Sequence, residues 1–301
     1  MSLVVSKIID NKIEIESDSR ITDINEAKKE SIYGVLKSII VYPQLCISFA
    51  GSIYLAEKAI KEIYDNEIIT FPHLIETLLR YNSDENRVEF IMSSLKNNKP
   101  IIIKISNKKV EAGLTSAWIG DLDGFNDFQK NFHELKSSGK SDKDSFTNAF
   151  SKVVENPNIP TVGDFQVSTI TEIGTHGEFF FRYFEKFMLI LGEPQTFTVS
   201  GGKETRMTMS WGTAAGGSFG FCYFVSVTPF KNAIAYYFVH GNFGVLFYPK
   251  LSFQGIVIKN KSNMEFLEYI NEKYQIQMRG FVLRDNNTAM QLIDMRVPNK
   301  V

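Results

Sequence analysis

The sequence predicts an α+β fold in which antiparallel sheets stack on one another and carry pairs of helices on their outer faces. Two observations support this prediction. Apolar runs of strand character come in blocks, and pairs of segments with helical periodicity separate the blocks. A parallel sheet would instead alternate single strands with single helices. The chain has 301 residues, 44% hydrophobic and 22% charged, enough for one large domain or two smaller ones.

The first block of strands occupies the first 50 residues. Residues 2–9 and 12–17 are predicted strands, and the pair Asp10–Asn11 between them is a hairpin signal. Two further strands are predicted within residues 38–50. They are separated at Pro43, because proline has no N–H to donate to a neighbouring strand.

The first helix pair follows directly. Ser52 is a suitable N-cap, and apolar side chains then recur at helical spacing: Ile53, Ala56, Ile60 and Ile63. A second helix is predicted to begin at Thr70, with Pro72 in its first turn, where a missing N–H costs nothing.

A second block of strands and a second helix pair complete the first half. Strands are predicted at 87–95, 100–106 and 109–120, and helices at 123–135 and 142–155. A further strand is predicted in the segment TVGDFQVSTITEI, residues 161–173. The order is therefore strands, two helices, strands, two helices and strands again.

The rest of the chain is rich in strands and turns. Its strands are expected in TRMTMSWGT, GFCYFVSVT, NAIAYYFVHG and FGVLFYP, with one helix at 262–274. The polar stretch 192–204 is the best candidate for a seam. We therefore predict one domain over residues 1–185 and a β-rich C-terminal extension over 186–301, which could also pack into the same domain.

Composition excludes several function classes. The net charge is −1 and the pI is near 6.5, so the overall basic field of a nucleic-acid-binding protein is absent. No apolar run is long enough for a membrane span, and the first residues do not form a signal peptide, so a cytoplasmic protein is expected. Cys46 and Cys222 lie in apolar runs and are expected to be buried free thiols. The four histidines are scattered, so neither a metal site nor a cofactor is expected.

Three features near the start of the chain have a characteristic spacing. Ser2 follows the initiator methionine, DSR spans Asp18–Arg20, and KSIIVYPQLCISFAG runs from Lys37 to Gly51. Together with SAWIGD at 116–121, they resemble the N-terminal nucleophile (Ntn) hydrolases, closest to the proteasome β-subunit branch with its HslV-like peptidases. The resemblance covers roughly residues 2–175. It implies a four-layer αββα sandwich of two antiparallel sheets flanked by helix pairs.

The resemblance also implies a mechanism. After removal of Met1, Ser2 would be the nucleophile, and its free α-amine would be the base. Lys37 would supply a cation, Asp18 would orient it, and the Gly51 N–H would hold the oxyanion. The expected reaction is cleavage of an amide bond, with a peptide as the first candidate substrate. Homo-oligomeric assembly is likewise implied.

Two further positions are expected to support the site, and one of them departs from the family pattern. Arg20 belongs to the DSR element. Asp121 stands where the family has the serine of Ile-Gly-Ser, and PTVGD (160–164) stands where Asp-x-x-Ser-Gly-Gly is expected. An inactive Ntn fold that acts as an oligomeric scaffold or sensor is therefore an alternative. An unrelated β-rich binding protein is another.

Overall fold

A computed structural model describes residues 2–21, 34–65, 70–82, 88–163, 165–184, 191–197, 207–211, 221–238, 241–284 and 289–296. The chain divides into two compact units, Met1–Phe184 and Glu185–Val301. Its fold is mixed α+β with antiparallel sheets, as the sequence predicts.

Unit 1 contains ten strands and four helices among its described residues. In chain order these are β1 (Leu3–Ile9), β2 (Lys12–Asp18), β3 (Ser38–Tyr42), β4 (Leu45–Ala50), α1 (Ile53–Asp65), α2 (Phe71–Tyr81), β5 (Glu89–Lys96), β6 (Lys99–Ser106), β7 (Lys109–Leu114), β8 (Ser116–Gly120), α3 (Leu122–Ser137), α4 (Asp142–Val154), β9 (Gln166–Ile173) and β10 (Phe179–Tyr183).

The strands of unit 1 form two five-stranded antiparallel sheets. Sheet A has the order β10-β9-β2-β1-β8, and sheet C has the order β3-β4-β5-β6-β7. The hairpin β1–β2 lies at the centre of sheet A. Its turn residues, Asp10 and Asn11, have φ values of 49° and 60°, as a two-residue hairpin turn with two left-handed residues requires. The predicted hairpin is confirmed.

The helix pairs contact different sheets. Helix α3 contacts β1, and α4 contacts β2 and β9, whereas α1 contacts β4 and α2 contacts β6. Strands of the two sheets also contact each other, because β8 lies against β4, β5 and β6. The apolar core under α3 and α4 includes Leu3, Val5, Phe128, Phe146 and Phe150.

The helices begin and end where local chemistry predicts. The side chain of Thr70 accepts a hydrogen bond from the His73 amide at the start of α2, and proline occupies the first turn. The predicted apolar stripe of α1 is buried. Ser141 caps α4 in the same way as Thr70 caps α2.

Two strand predictions are wrong in detail. The segment 109–120 was predicted as one strand, but it breaks at Thr115 into β7 of sheet C and β8 of sheet A. Both halves favour extended backbone, so the sequence does not reveal that the chain changes sheets. The strand predicted from residue 161 begins only at Gln166, and residues 160–162 form a turn.

Unit 2 contains β11 (Leu191–Phe197), β12 (Met207–Trp211), β13 (Phe221–Ser226), β14 (Ile234–Phe238), β15 (Phe243–Tyr248), β16 (Ser252–Lys259), α5 (Asn263–Tyr274), β17 (Met278–Arg284) and β18 (Ala289–Asp294). Strands β11 and β12 pair with each other, and the other six form an antiparallel sheet of order β16-β15-β14-β13-β17-β18. Helix α5 packs on this sheet through Phe266, Leu267 and Ile270. The predicted seam at 192–204 overlaps β11, and residues 198–204 lie outside the described part.

Helix α5 begins one residue after its predicted start, because Ser262 is its N-cap, and it has a complete capping box. Ser262 and Glu265 exchange side-chain-to-backbone hydrogen bonds at its N-terminus. None of the described helices, in either unit, is long and apolar enough to cross a membrane.

Candidate active site

The predicted site lies at the open end of the β1–β2 hairpin. Ser2 precedes β1, Asp18 ends β2, and both are buried. The Leu3 amide donates a 2.9 Å hydrogen bond to Asp18 Oδ1. This amide belongs to the peptide bond between Ser2 and Leu3, so the Asp18 carboxylate lies beside the backbone of the predicted nucleophile.

Lys37 forms a buried ion pair with Asp18. Its Nζ lies 2.8 Å from Asp18 Oδ2, and the side chains are 2% and 0% exposed. The same Nζ donates a 2.8 Å hydrogen bond to the Arg20 carbonyl. Lys37 immediately precedes β3, and its own carbonyl accepts a 3.0 Å bond from the Phe49 amide of β4. The lysine backbone is therefore anchored to sheet C, while its ammonium group reaches the end of β2 in sheet A.

The Asp18 carboxylate receives donors from several parts of the chain. Besides Leu3 and Lys37, the Arg20 amide donates to Oδ2 at 3.1 Å and the Gly163 amide at 3.4 Å. All four of these groups donate to the one carboxylate, and three of them are backbone amides. The site therefore holds a buried Asp–Lys pair within a shell of backbone donors.

Strand β8 places a second backbone segment against Ser2. The Asp121 amide donates a 2.7 Å hydrogen bond to the Ser2 carbonyl. At Gly120, with a φ of +99°, a Cβ atom would lie 1.8 Å from the Ser2 carbonyl oxygen and 3.1 Å from the Ala50 Cβ. Only glycine permits this approach and this backbone conformation. The Gly120 amide also donates to Glu89 Oε2 at 3.0 Å, which ties β8 to sheet C.

Both carboxylate oxygens of Asp121 accept hydrogen bonds from other parts of unit 1. Its Oδ1 accepts a 2.8 Å hydrogen bond from the Gly124 amide and caps α3, while its Oδ2 accepts a 2.7 Å bond from the Thr161 hydroxyl. Asp121, predicted to support the site, therefore contacts Ser2 only through its backbone amide. Its carboxylate serves as the N-cap of α3.

Arg20 connects the site to the turn at 160–163. Its Nη1 donates a 3.0 Å hydrogen bond to the Pro160 carbonyl, and its guanidinium lies where a Cβ on Gly163 would be, at 2.6 Å. Ser19 makes further contacts to this region, since its amide donates to the Gly163 carbonyl and its Oγ accepts from the Phe165 amide.

The residues of this turn were not among the predicted site residues. Thr161 and Gly163 contact predicted site residues, as does Ser19. The available signal was the position of PTVGD, which matches the family's Asp-x-x-Ser-Gly-Gly element in place but not in residues. Contacts between residues about 140 positions apart produce no periodic pattern in the sequence. Only the family resemblance therefore indicated that this segment lies near the site.

Gly51 follows β4 with a φ of +103°, a conformation that favours glycine. The residue before it, Ala50, lies close to Gly120, which in turn contacts the Ser2 carbonyl. The structure thus brings Ser2, Asp18, Lys37 and the Arg20 backbone together. It places Gly51 one residue from the same contact region.

Across the described ranges, no group of three or more His, Cys, Asp and Glu residues could hold a metal ion. Cys46 and Cys222 are buried thiols that form no disulfide, as predicted. Burial raises the pKa of the Cys46 thiol to about 12. His240 and the glycine-rich segment 212–220 lie outside the described residues.

No protein-family model matches the chain, and no curated protein matches it either. The functional assignment therefore depends on the chain's own sequence and geometry.

Proposed function

We propose that unit 1 is the four-layer αββα sandwich of an N-terminal nucleophile hydrolase and that the chain cleaves amide bonds, with peptides as the first candidate substrates. The separate helix pairs on sheets A and C, and the contacts of β8 with sheet C, support this architecture. The observation that carries the proposal is the Asp18 carboxylate, which binds the Lys37 ammonium and the Leu3 amide together.

Ser2 is the proposed nucleophile. Once Met1 is removed, the Ser2 α-amine has a reference pKa of about 7.7–8.0, which suits a base near neutral pH. It takes the proton from Ser2 Oγ as the oxygen attacks the substrate carbonyl carbon. The same proton passes to the leaving amine when the carbon–nitrogen bond breaks. Water then hydrolyses the acyl-enzyme ester.

Lys37 is the proposed electrostatic partner of Ser2. Its buried ammonium stabilises negative charge on Ser2 Oγ and disfavours protonation of the neighbouring amine. Asp18 holds the ammonium in place and, through Leu3, the backbone that carries Ser2. Deleting either member leaves the other charge buried without its partner.

The Gly51 N–H is the proposed oxyanion donor. A glycine with positive φ at the end of β4 exposes its backbone without a side chain in the way. Removal of one oxyanion donor typically costs about 10²–10³ in kcat. Arg20 keeps a supporting role, because its carbonyl accepts from Lys37 and its side chain anchors the turn at 160–163.

Intact-mass analysis and a peptide-library cleavage assay test the proposal together. We expect a species that lacks only Met1, cleavage activity in that species, loss of activity in Ser2→Ala and retention in Ser2→Thr. Ser6→Ala is the matched control, because Ser6 is a buried serine of β1, the strand that follows Ser2. Activity that survives Ser2→Ala, or that is present in a fully Met1-retaining sample, would contradict the mechanism.

A second candidate function is that of an inactive Ntn fold serving as an oligomeric scaffold or sensor. The carboxylate at Asp121 favours it, since both oxygens accept structural hydrogen bonds where the family has a serine hydroxyl. Complete retention of Met1 together with a stable homo-oligomer in sedimentation experiments would support this candidate. The hydrolase is also expected to be oligomeric and cytoplasmic, so Met1 removal and activity distinguish the two.

A further inference from the structure

A pocket of about 210 Å³ lies between the outer face of sheet A and helix α3. It is lined by side chains of β1, β8, α3 and α4, including Val5, Lys7, Ser116, Trp118 and Phe146. Lys7 is five residues from Ser2 along an extended strand, roughly 16 Å at about 3.3 Å per residue. The pocket therefore lies apart from the candidate active site.

Four aromatic rings form a column along this pocket. The Trp118 and Phe125 rings stack at 4.3 Å between centroids with 10° between their planes. Phe125 and Phe128 follow at 6.3 Å and 18°, and Phe128 and Phe132 at 6.1 Å and 21°. Nearly parallel rings present edges and faces that suit a flat aromatic guest. For scale, an apolar cavity of about 150 Å³ binds benzene.

Cations lie over both ends of the aromatic column. Lys7 Nζ is 5.4 Å from the Phe132 ring centroid, and Lys104 Nζ is 5.0 Å from that of Trp118. Within the described part of the chain, neither ammonium has a carboxylate within ion-pairing distance. His133 adds an exposed imidazole to the lining.

Two acidic groups that neighbour Lys7 or interact with it are already paired. Glu14, the cross-strand neighbour of Lys7, forms an ion pair with Lys143 at 3.3 Å. Asp142 is paired with Lys136, whose hydrogen bond is the main cause of its lowered pKa, with Lys7 contributing through space. The Lys7 ammonium therefore remains available to an anion that enters the pocket.

We propose that this pocket binds a small planar aromatic carboxylate of one or two rings. The rings lie along the column from Trp118 to Phe132, and the carboxylate pairs with Lys7. A charge-assisted hydrogen bond explains a preference for the acid over a neutral compound of the same shape. This inference does not depend on the proposed hydrolase activity.

Titration with 2-naphthoate tests the proposal. The full chain carries two tryptophans, so Trp211→Phe leaves Trp118 as the reporter of binding. We expect a saturable change in Trp118 fluorescence and one molecule bound per chain by calorimetry. The neutral analogue 2-naphthalenemethanol should bind about tenfold more weakly, the preference that one charge-assisted hydrogen bond provides.

Variants separate the pocket from surface binding. Lys7→Gln should remove the preference for the acid, while Lys12→Gln, on the same hairpin but outside the lining, should keep it. Gln129→Trp, an exposed position of the pocket wall, should block both compounds. Thermal unfolding confirms that each variant is folded. Absence of saturable binding, unchanged binding in Gln129→Trp, or a tenfold preference that survives Lys7→Gln would overturn the proposal.

Discussion

Replacing Lys37 by methionine tests the central ion pair, because methionine keeps most of the volume and removes the charge. The Lys37 and Asp18 side chains are 2% and 0% exposed. Breaking such a buried pair costs about 3–5 kcal/mol, since the remaining charge stays desolvated. We expect Lys37→Met to lower the free energy of unfolding by about 3 kcal/mol, the low end of this range. The loss is limited because the amides of Leu3, Arg20 and Gly163 still donate to the carboxylate.

The reciprocal variant should cost more. Asp18→Asn leaves the buried Lys37 ammonium without its counter-ion, and the new amide N–H₂ group faces donors rather than acceptors. We expect Asp18→Asn to lower the free energy of unfolding by about 4 kcal/mol, near the middle of the range for a broken buried pair. In the double variant both charges are gone, so its cost should be at least about 1.5 kcal/mol below the sum of the two single variants.

Urea unfolding followed by Trp118 fluorescence in a Trp211→Phe background measures these costs. Trp118 lies in β8, so the signal reports on unit 1. The exposed pair Lys61–Glu57 is the control, with side chains 53% and 22% exposed. Lys61→Met should cost less than about 0.5 kcal/mol. A Lys37→Met cost as small as this would refute the reasoning, as would strictly additive costs in the double variant.

Three further predictions concern single positions. Gly120→Ala should destabilise unit 1 by at least about 2 kcal/mol and abolish Ser2-dependent cleavage, whereas Gly113→Ala, with positive φ but open space, should cost about 1 kcal/mol in urea unfolding; equal costs would contradict the steric argument. Burial raises the pKa of Glu14, so its stabilising contribution is present below the unfolded pKa and lost as pH rises through the folded pKa. Glu14→Gln should therefore gain stability relative to the parent from pH 4 to pH 8, and a constant difference would argue against it. Cys46, with a pKa of about 12, should resist iodoacetamide at pH 8 in the folded chain and react in urea by mass spectrometry.

Local chemistry made much of unit 1 predictable. The Asp10–Asn11 turn, the Thr70 cap and the apolar stripe of α1 each depend on neighbours within a few residues, and each is confirmed. The co-location of Ser2, Asp18 and Lys37 was predictable only through the resemblance. Their spacing has no meaning until the strands pair.

Long-range contacts account for what the sequence did not reveal. Glu16 lies within β2 and carries a carboxylate, yet it is 1% exposed. Its carboxylate accepts hydrogen bonds from Thr147, Gln166 and Ser168, which come from α4 and β9 more than 130 residues away. The break at Thr115 was missed for a similar reason, because a transfer between sheets is decided by packing and not by strand propensity.

The central position of the β1–β2 hairpin has a consequence for synthesis of the chain. A hairpin of this kind closes within about 1–10 μs. Its partner β8 lies about 100 residues further along the chain and β9 about 150. At about 5–20 residues per second, the ribosome takes roughly 8 to 30 s to reach β9. The outer edge of β1 stays open to pairing with other chains until β8 is made, and the outer edge of β2 stays open until β9 is made. The nascent protein therefore passes through an aggregation-prone stage at each round of translation, and the segment that carries Ser2 is the one exposed.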